Sequence, residues 1–497
     1  MSSIAEIASP VDAMNPARHS RSDALHKLDA VPSALFPSTA EKERVEARLT
    51  EELIRAGERV MKGSVVPTLD FDDFQRELAR FDLCTPVPLD ALLSWTIAQM
   101  ESGLVHVTHP RYFGLFNPLP TFPAQCADRI AAAFNPQLAT STTSPVAVEI
   151  ERHVIGSVAR RVGFPSDAAG HFTSGGSEAN YTAIICALTT ATPKFVVDGA
   201  RAFDGPPVFY VSRESHLAWL KIAHQAGVGR SAVRLIATDG CGRMDGTALR
   251  ETIRRDLANG CVPVMIAACA GTTNAGMIDP LEDCAEIARA YSLWYHVDAA
   301  WGGALIVSER LRAALAGMEQ ADSVTIDAHK WFATTMGCGM FITRQPQVLS
   351  SAFQVATDFM PSNVPSLDPY VTTAQWSRRF LGLRLFLSLA AAGWEGYRVH
   401  VERAVELAEM LKAKLAAENW TIVNSSPLAV VCAEPPPGAD EIKAIARRVV
   451  ASGNAWIAGT VFEGREVIRA CVTNGESTPA DVVELVRSLS NATRKTR

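Results

Sequence analysis

Trp294-Tyr295-His296-Val297-Asp298-Ala299-Ala300 and Ser323-Val324-Thr325-Ile326-Asp327-Ala328-His329-Lys330-Trp331 are two short, mainly apolar runs, and each delivers charged side chains at its end. A run of four to eight apolar residues suits a strand buried on both faces, as in a parallel sheet. Ligands of such sheets collect beyond the carboxyl ends of the strands. Asp298 and Lys330 fall just there. A pocket that penalises ammonium favours the neutral, nucleophilic amine of a lysine. A lysine behind a histidine says little by itself, because most lysines are solvated surface groups.

The pattern around these two runs is strand–helix alternation from about residue 115 to 380. Strands are predicted at 171–173, 207–212, 233–236, 264–270, 293–297, 323–327 and 340–343, with helices between most of them, such as 177–189 and 281–291. This predicts an α/β fold with a mostly parallel central sheet covered on both faces. Upstream, residues 1–37 read as an extended arm. Ser38-Thr39-Ala40-Glu41 then reads as a capping box, and Val45, Leu49, Leu53, Ala56 and Val60 recur at helical spacing. A second helix is expected over 88–101. This N-terminal part is too small and too striped to hold a core, so it should lie on another surface, such as a second subunit's. Downstream, 344–375 is rich in Pro, Ser and Asp and reads as a long loop, unusual unless functional. A helix over 378–415, strands at 421–434, 455–462 and 466–472, and helices at 438–452 and 479–489 form a small C-terminal α/β domain. The expected division is 1–114, 115–380 and 381–497.

Composition excludes several classes. The chain has 497 residues, 48% of them hydrophobic and 20% charged, which fits a globular protein with a sizeable core. A net charge of −6 gives no reason to expect nucleic acid or an anionic membrane as partner. The ten cysteines form no C-x-x-C pair, and no His/Cys cluster has metal-ligand spacing, so reduced thiols and no metal are expected. No basic head followed by an apolar segment opens the chain, and apolar runs such as 262–270 are too short to span a bilayer. A cytoplasmic enzyme is the expectation.

Three further motifs bear on chemistry. Phe172-Thr173-Ser174-Gly175-Gly176-Ser177-Glu178-Ala179-Asn180 places a glycine pair between a strand and a helix. Gly175 and Gly176 let backbone N–H groups approach a phosphate, the helix N-terminus adds a favourable field, and Ser177 can add a hydroxyl. The same turn also serves as a plain strand-to-helix connection; it is neither a P-loop nor a dinucleotide fingerprint. In Ala270-Gly271-Thr272-Thr273-Asn274-Ala275-Gly276-Met277-Ile278-Asp279-Pro280, hydroxyls could bond a ligand ring oxygen, while Asp279 reads as the cap of the following helix. His216, just after a strand, could stack flat on an aromatic ring; elsewhere a lone loop histidine is simply solvated. An amine, a carboxylate to keep a pyridine nitrogen protonated, a stacking imidazole and a phosphate turn are together what a pyridoxal phosphate (PLP) enzyme requires.

From about Pro88 to its C-terminus the chain resembles the group II PLP-dependent amino-acid decarboxylases, the family of aromatic-L-amino-acid, glutamate and histidine decarboxylases. The matching pieces are His109-Pro110-Arg111-Tyr112-Phe113-Gly114, the Ser174–Asn180 turn, Ser215-His216, Gly271-Thr272-Thr273, His296-Val297-Asp298-Ala299-Ala300, Asp327-Ala328-His329-Lys330-Trp331 and Ser377-Arg378-Arg379-Phe380, in the family's order. The resemblance implies the aspartate aminotransferase fold (fold type I) and a homodimer with the pocket at the subunit interface. It implies Lys330 as the Schiff-base lysine, Asp298 as partner of the pyridine nitrogen, His216 and Ala300 on the two ring faces, and Thr273 near the ring hydroxyl. Gly175, Gly176, Ser177 and His329 would hold the phosphate.

Two departures from the family matter. Phe359 stands where typical members carry the tyrosine that protonates the carbanion left by carbon dioxide, and phenylalanine has no proton to give. Relatives with that replacement are aldehyde synthases, in which oxygen intercepts the carbanion, so amine and aldehyde products both stay open; water, His216 or Tyr370 could also donate. Around the substrate, Leu115 and Phe116 suggest an apolar side-chain pocket, and Asn117 could bond the substrate carboxylate or simply form a turn. An aromatic or bulky aliphatic amino acid is the expected substrate. The competing classes are a non-catalytic homologue and a PLP aminotransferase or desulfurase. The latter would need an arginine for the substrate carboxylate or a mobile cysteine, and neither is identifiable. A serine hydrolase fails for lack of a nucleophile elbow.

Overall fold

Seven strands make one sheet: β1 (Ala169–Thr173), β2 (Pro207–Ser212), β3 (Val233–Ile236), β4 (Val262–Cys269), β5 (Trp294–Asp298), β6 (Ser323–Asp327) and β7 (Gly339–Thr343). The computed structural model describes residues 34–355 and 368–493. The strand order is β1-β7-β6-β5-β4-β2-β3, with β7 antiparallel to both β1 and β6 and every other pair parallel. Every residue of β2, β5, β6 and β7 is buried. That is why these strands read as apolar runs rather than as alternating ones. Register does the positioning. Cys269 on β4 pairs with Asp298 on β5, and Asp298 pairs with Thr325 on β6. Asp327 pairs with Gly339 on β7, which also pairs with Thr173 on β1.

The chain divides into two compact units. One contains residues 34–59 and 69–103, the other 60–68 and 104–493 among the described residues. In the first lie α1 (Thr39–Lys62, whose last residues belong to the second unit), α2 (Phe71–Leu78) and α3 (Leu89–Gly103). The Ser38 hydroxyl accepts the Glu41 N–H at 3.3 Å, half of the expected capping box. Ion pairs Arg44–Asp90 (2.7 Å) and Arg59–Glu101 (2.7 Å) tie α1 to α3. Only Val45 and Ala56 of α1 are buried, and no residue of α2 or α3 is. Leu53, Ile54, Phe71, Leu78, Leu89 and Met100 are all exposed.

Two helices of the larger unit went unpredicted, α4 (Phe122–Phe134) and α5 (Pro145–Val162). Each has a proline in its first turn, where a missing N–H costs nothing. Helix α6 (Gly176–Ala191) starts directly at the glycine pair and buries Ala179, Asn180 and Ala183. The stretch 344–375 is not the uninterrupted loop expected. Gln347–Phe353 is helical because Val348 and Leu349 dock into the core, and Pro369–Thr372 opens on a helix-compatible proline. Beyond it, the helix Gly382–Ala417 is kinked at Gly393, whose φ of 65° favours glycine.

A second, four-stranded antiparallel sheet contains β8 (Thr421–Ile422), β9 (Val430–Glu434), β10 (Ala458–Phe462) and β11 (Arg465–Cys471), in the order β10-β11-β9-β8. The single strand predicted over 421–434 is therefore two. Between them the Asn424 side chain takes the Cys432 N–H at 2.8 Å and donates to the carbonyls of Ala275 and Val430. It substitutes for ladder bonds across a Ser-Ser-Pro bend.

Candidate active site

At the carboxyl ends of β4, β5 and β6 lies a cavity of about 360 Å³. Lys330, Asp298 and His216 all line it, as do Thr273, Ala300 and His329. So do Gly175, Gly176 and Ser177 from the start of α6, together with Phe116. Leu115 is 47% exposed, and neither it nor Asn117 is among the lining residues. Phe359 lies outside the described residues. Tyr370 is buried and stacks on Trp376 at 5.0 Å; it does not line the cavity.

Lys330 sits on the connection between β6 and β7. Its Nζ is 3.3 Å from Asp327 Oδ2 and 5.9 Å from the centre of the Phe116 ring. Asp327, 3% exposed and with Oδ1 unpartnered, was quoted in the sequence without a role; the structure makes it the lysine's counter-ion. His329 Nε2 lies 3.9 Å from the same Asp327 oxygen. Asp298 is 8% exposed; its Oδ2 accepts from the Asn180 side-chain amide at 2.8 Å and its Oδ1 from the Ala300 N–H at 3.2 Å. The His216 Nδ1 accepts the Ala218 N–H at 3.1 Å, which turns Nε2 outward. Asp279 does not cap the helix after it. It is buried, and its two oxygens accept the N–H groups of Met244 and Cys269 at 2.7 Å each, stapling the end of β4. Burial pushes its carboxyl up to about 6, against those two bonds.

The glycine pair makes a cradle. Gly175, at φ 156° and ψ 179°, occupies backbone space in which side chains are strained. A Cβ on Gly176 would sit 2.9 Å from Asp327 Oδ2 and 3.3 Å from the Ala300 Cβ. The Gly176 and Ser177 amides, the first two of α6, have no intrahelical acceptor and could hold an anion. On the opposite wall Phe116 stacks on Trp301 at 4.1 Å, and the buried Arg469 of β11 lies 4.9 Å from the Phe116 ring centre. Two of its guanidinium nitrogens have no hydrogen-bond partner.

Residues 85–434 match the model of the pyridoxal-dependent decarboxylase conserved domain. The chain belongs to this family. It is 28% identical over 411 residues to the aromatic-L-amino-acid decarboxylase of Bacillus atrophaeus, covering 80% of this chain and 84% of that one. It is 30% identical over 408 residues to the L-2,4-diaminobutyrate decarboxylase of Rhizobium meliloti, covering 80% of each. With the phenylacetaldehyde synthase of Arabidopsis thaliana it shares 26% identity over 403 residues, 78% of this chain and 82% of the relative. In three dimensions it superposes on the crystal structure of Oryza sativa TDC with PLP and tryptamine at a TM-score of 0.85, with 23% identity, over 92% of this chain and 98% of the other. The fold is that of the fold type I PLP enzymes, and the cofactor is PLP. The donor set suits it: a glycine cradle at a helix N-terminus for the phosphate, and an amine and a carboxylate on one cavity.

Two groups of residues escaped sequence reading. Asn180, His296, Ser323 and Thr325 lie behind Asp298 and depend on α6 packing over β5 and β6. Their signal was present in the strands: His296 and Asp298, like Ser323, Thr325 and Asp327, alternate on one face of runs that are otherwise apolar and wholly buried. Arg469 gave no such signal, because an arginine in a C-terminal strand is ordinarily solvated.

Proposed function

We propose that this decarboxylase acts on an aromatic or bulky apolar L-amino acid, with Lys330 as the residue that carries the cofactor. The observation behind the reading is the convergence of Lys330, Asp298, His216 and the Gly175–Gly176 turn on one cavity whose wall includes Phe116, Trp301 and Met336. PLP, when bound, withdraws the electron pair left on the α-carbon as carbon dioxide departs. Asp298 would hold the pyridine nitrogen protonated, and His216 would cover one ring face. Asp327 lies 3.3 Å from the Lys330 amine and would hold it within the cavity. The first turn of α6, with Ser177 and His329, would hold the phosphate, and orientation of the substrate against the bound group would select the bond that breaks. The aromatic wall favours an apolar side chain over a diamino acid, for which a second ammonium would need a free carboxylate.

A second reading has its own observation. Phe359 provides no proton at the position where the family tyrosine acts, and among the described residues lining the cavity there is no tyrosine. On that reading oxygen and water are consumed and the products are an aldehyde, carbon dioxide, ammonia and hydrogen peroxide; the name of the Arabidopsis relative gives an aldehyde as that protein's product. A panel of L-amino acids incubated with the holoenzyme, with and without oxygen, separates the two. Stoichiometric amine without peroxide selects decarboxylation alone; peroxide and aldehyde in equal amounts select the oxidative course. No turnover of any aromatic or bulky apolar amino acid would overturn the substrate proposal.

The exposed apolar residues of α1–α3 support a homodimer in which these helices find their missing burial on a second copy. Sedimentation of the holoenzyme at micromolar concentration tests this; a monomer would refute it.

A further inference from the structure

We infer that Asn180 is a positioning residue, the last member of a one-directional hydrogen-bond relay that fixes the direction of the Asp298 carboxylate. This rests on the reading of Asp298 given above. The relay begins at the Trp294 indole, which can only donate and does so to the Ser323 hydroxyl oxygen at 2.9 Å. Ser323 is then left with its own proton to give, and the His296 Nδ1 lies 2.8 Å away. Accepting there fixes the imidazole tautomer with its proton on Nε2, which is 3.1 Å from Asn180 Oδ1. Thr325 donates to the same Oδ1 at 2.7 Å. With its oxygen occupied by two donors, the Asn180 amide is locked in one flip, and its N–H points at Asp298 Oδ2, 2.8 Å away.

Every group in this chain is buried, and His296, Ser323 and Thr325 are wholly so. Burial also holds the His296 imidazole down to about 4, so the relay is neutral throughout its length. All its dipoles point toward Asp298, so the one negative charge in the assembly sits on that carboxylate. Low surrounding polarity makes such a chain cooperative, each bond polarising the next. Asp298 is therefore fixed in direction, as holding a protonated ring nitrogen requires. A purely structural network would not need uniform polarity.

The test compares apoprotein variants in two readouts that do not depend on turnover: the dissociation constant of PLP and the absorption spectrum of the bound cofactor. Asn180→Ala should weaken PLP binding about 10- to 100-fold, equivalent to about 1.4–2.8 kcal/mol, and shift the absorption maximum in the same direction as Asp298→Ala. His296→Gln, which can accept from Ser323 and donate to Asn180, should stay within about threefold of wild type; His296→Phe, which can do neither, should behave like Asn180→Ala. Thr325→Val serves if Asn180→Ala does not fold, with an expected loss of about 3- to 10-fold. A wild-type constant and spectrum in Asn180→Ala or Thr325→Val, while Asp298→Ala shifts both, would overturn the relay. If Asp298→Ala itself changes nothing, the reading of Asp298 fails first.

Discussion

Replacing His296 by glutamine isolates one titration from all the others in the protein. The imidazole is held down to about 4 by burial, whereas in an unfolded chain it titrates near 6.5. Above pH 6.5 it is neutral in both states and the folded protein has its full stability. As the pH falls below that, the unfolded chain takes up a proton that the folded one refuses, so stability is lost until the folded state also protonates near pH 4. At pH 5 the unfolded histidine is almost fully charged and the folded one only about one-tenth so, which amounts to a loss of about 2 kcal/mol relative to pH 7. Glutamine keeps both hydrogen bonds and does not titrate. The other histidines lowered by burial, His109 at about 4, His171 at about 3 and His400, remain in both proteins and cancel. Urea unfolding of wild type and His296→Gln at pH 7 and pH 5 should show the wild type losing about 2 kcal/mol more than the variant across that interval. Parallel pH profiles would refute both the neutral imidazole and the tautomer assigned to the relay.

Lys330→Ala should abolish turnover and the borohydride-reducible attachment of cofactor to this position; peptide mapping that finds an adduct on another lysine would remove Lys330 from its role. Phe359→Tyr restores a phenolic proton and should raise the amine-to-aldehyde ratio, read by product analysis under air; an unchanged ratio would show that residue 359 does not face the carbanion. Arg378 and Glu151 form an ion contact at 2.5 Å with side chains 5% and 4% exposed, and a Glu151 oxygen also takes the Gly382 N–H at 2.9 Å. Arg378→Met leaves that carboxylate buried and unpaired, a loss of about 3–5 kcal/mol in denaturant titrations, and adding Glu151→Gln should recover most of it.

The central sheet was legible because a strand buried on both faces is mainly apolar, and β2, β5, β6 and β7 carried that mark. Asp298 and Lys330 were legible as charges at the ends of such strands. What stayed hidden depended on packing between distant segments. Asn180 becomes interpretable only once α6 lies over β5, and Asp327 only once Lys330 is seen to fold back on it. Helices α4 and α5 were missed because prolines, which usually break a periodic pattern, here begin each helix. Leu115 and Asn117 neighbour Phe116 in sequence, yet Phe116 alone lines the cavity; backbone direction, not proximity along the chain, decides which side chain points inward.

The lysine's mounting has a kinetic consequence. Strands β6 and β7 are adjacent and antiparallel, and the His329 N–H bonds the Cys338 carbonyl at 3.0 Å across the reversal between them. The Lys330 backbone is thereby clamped from both sides, and only its four methylenes are left to swing. On the proposed reading of Lys330, bringing its amine to the cofactor site and withdrawing it again would need only side-chain bond rotations, not a loop moving over microseconds or longer.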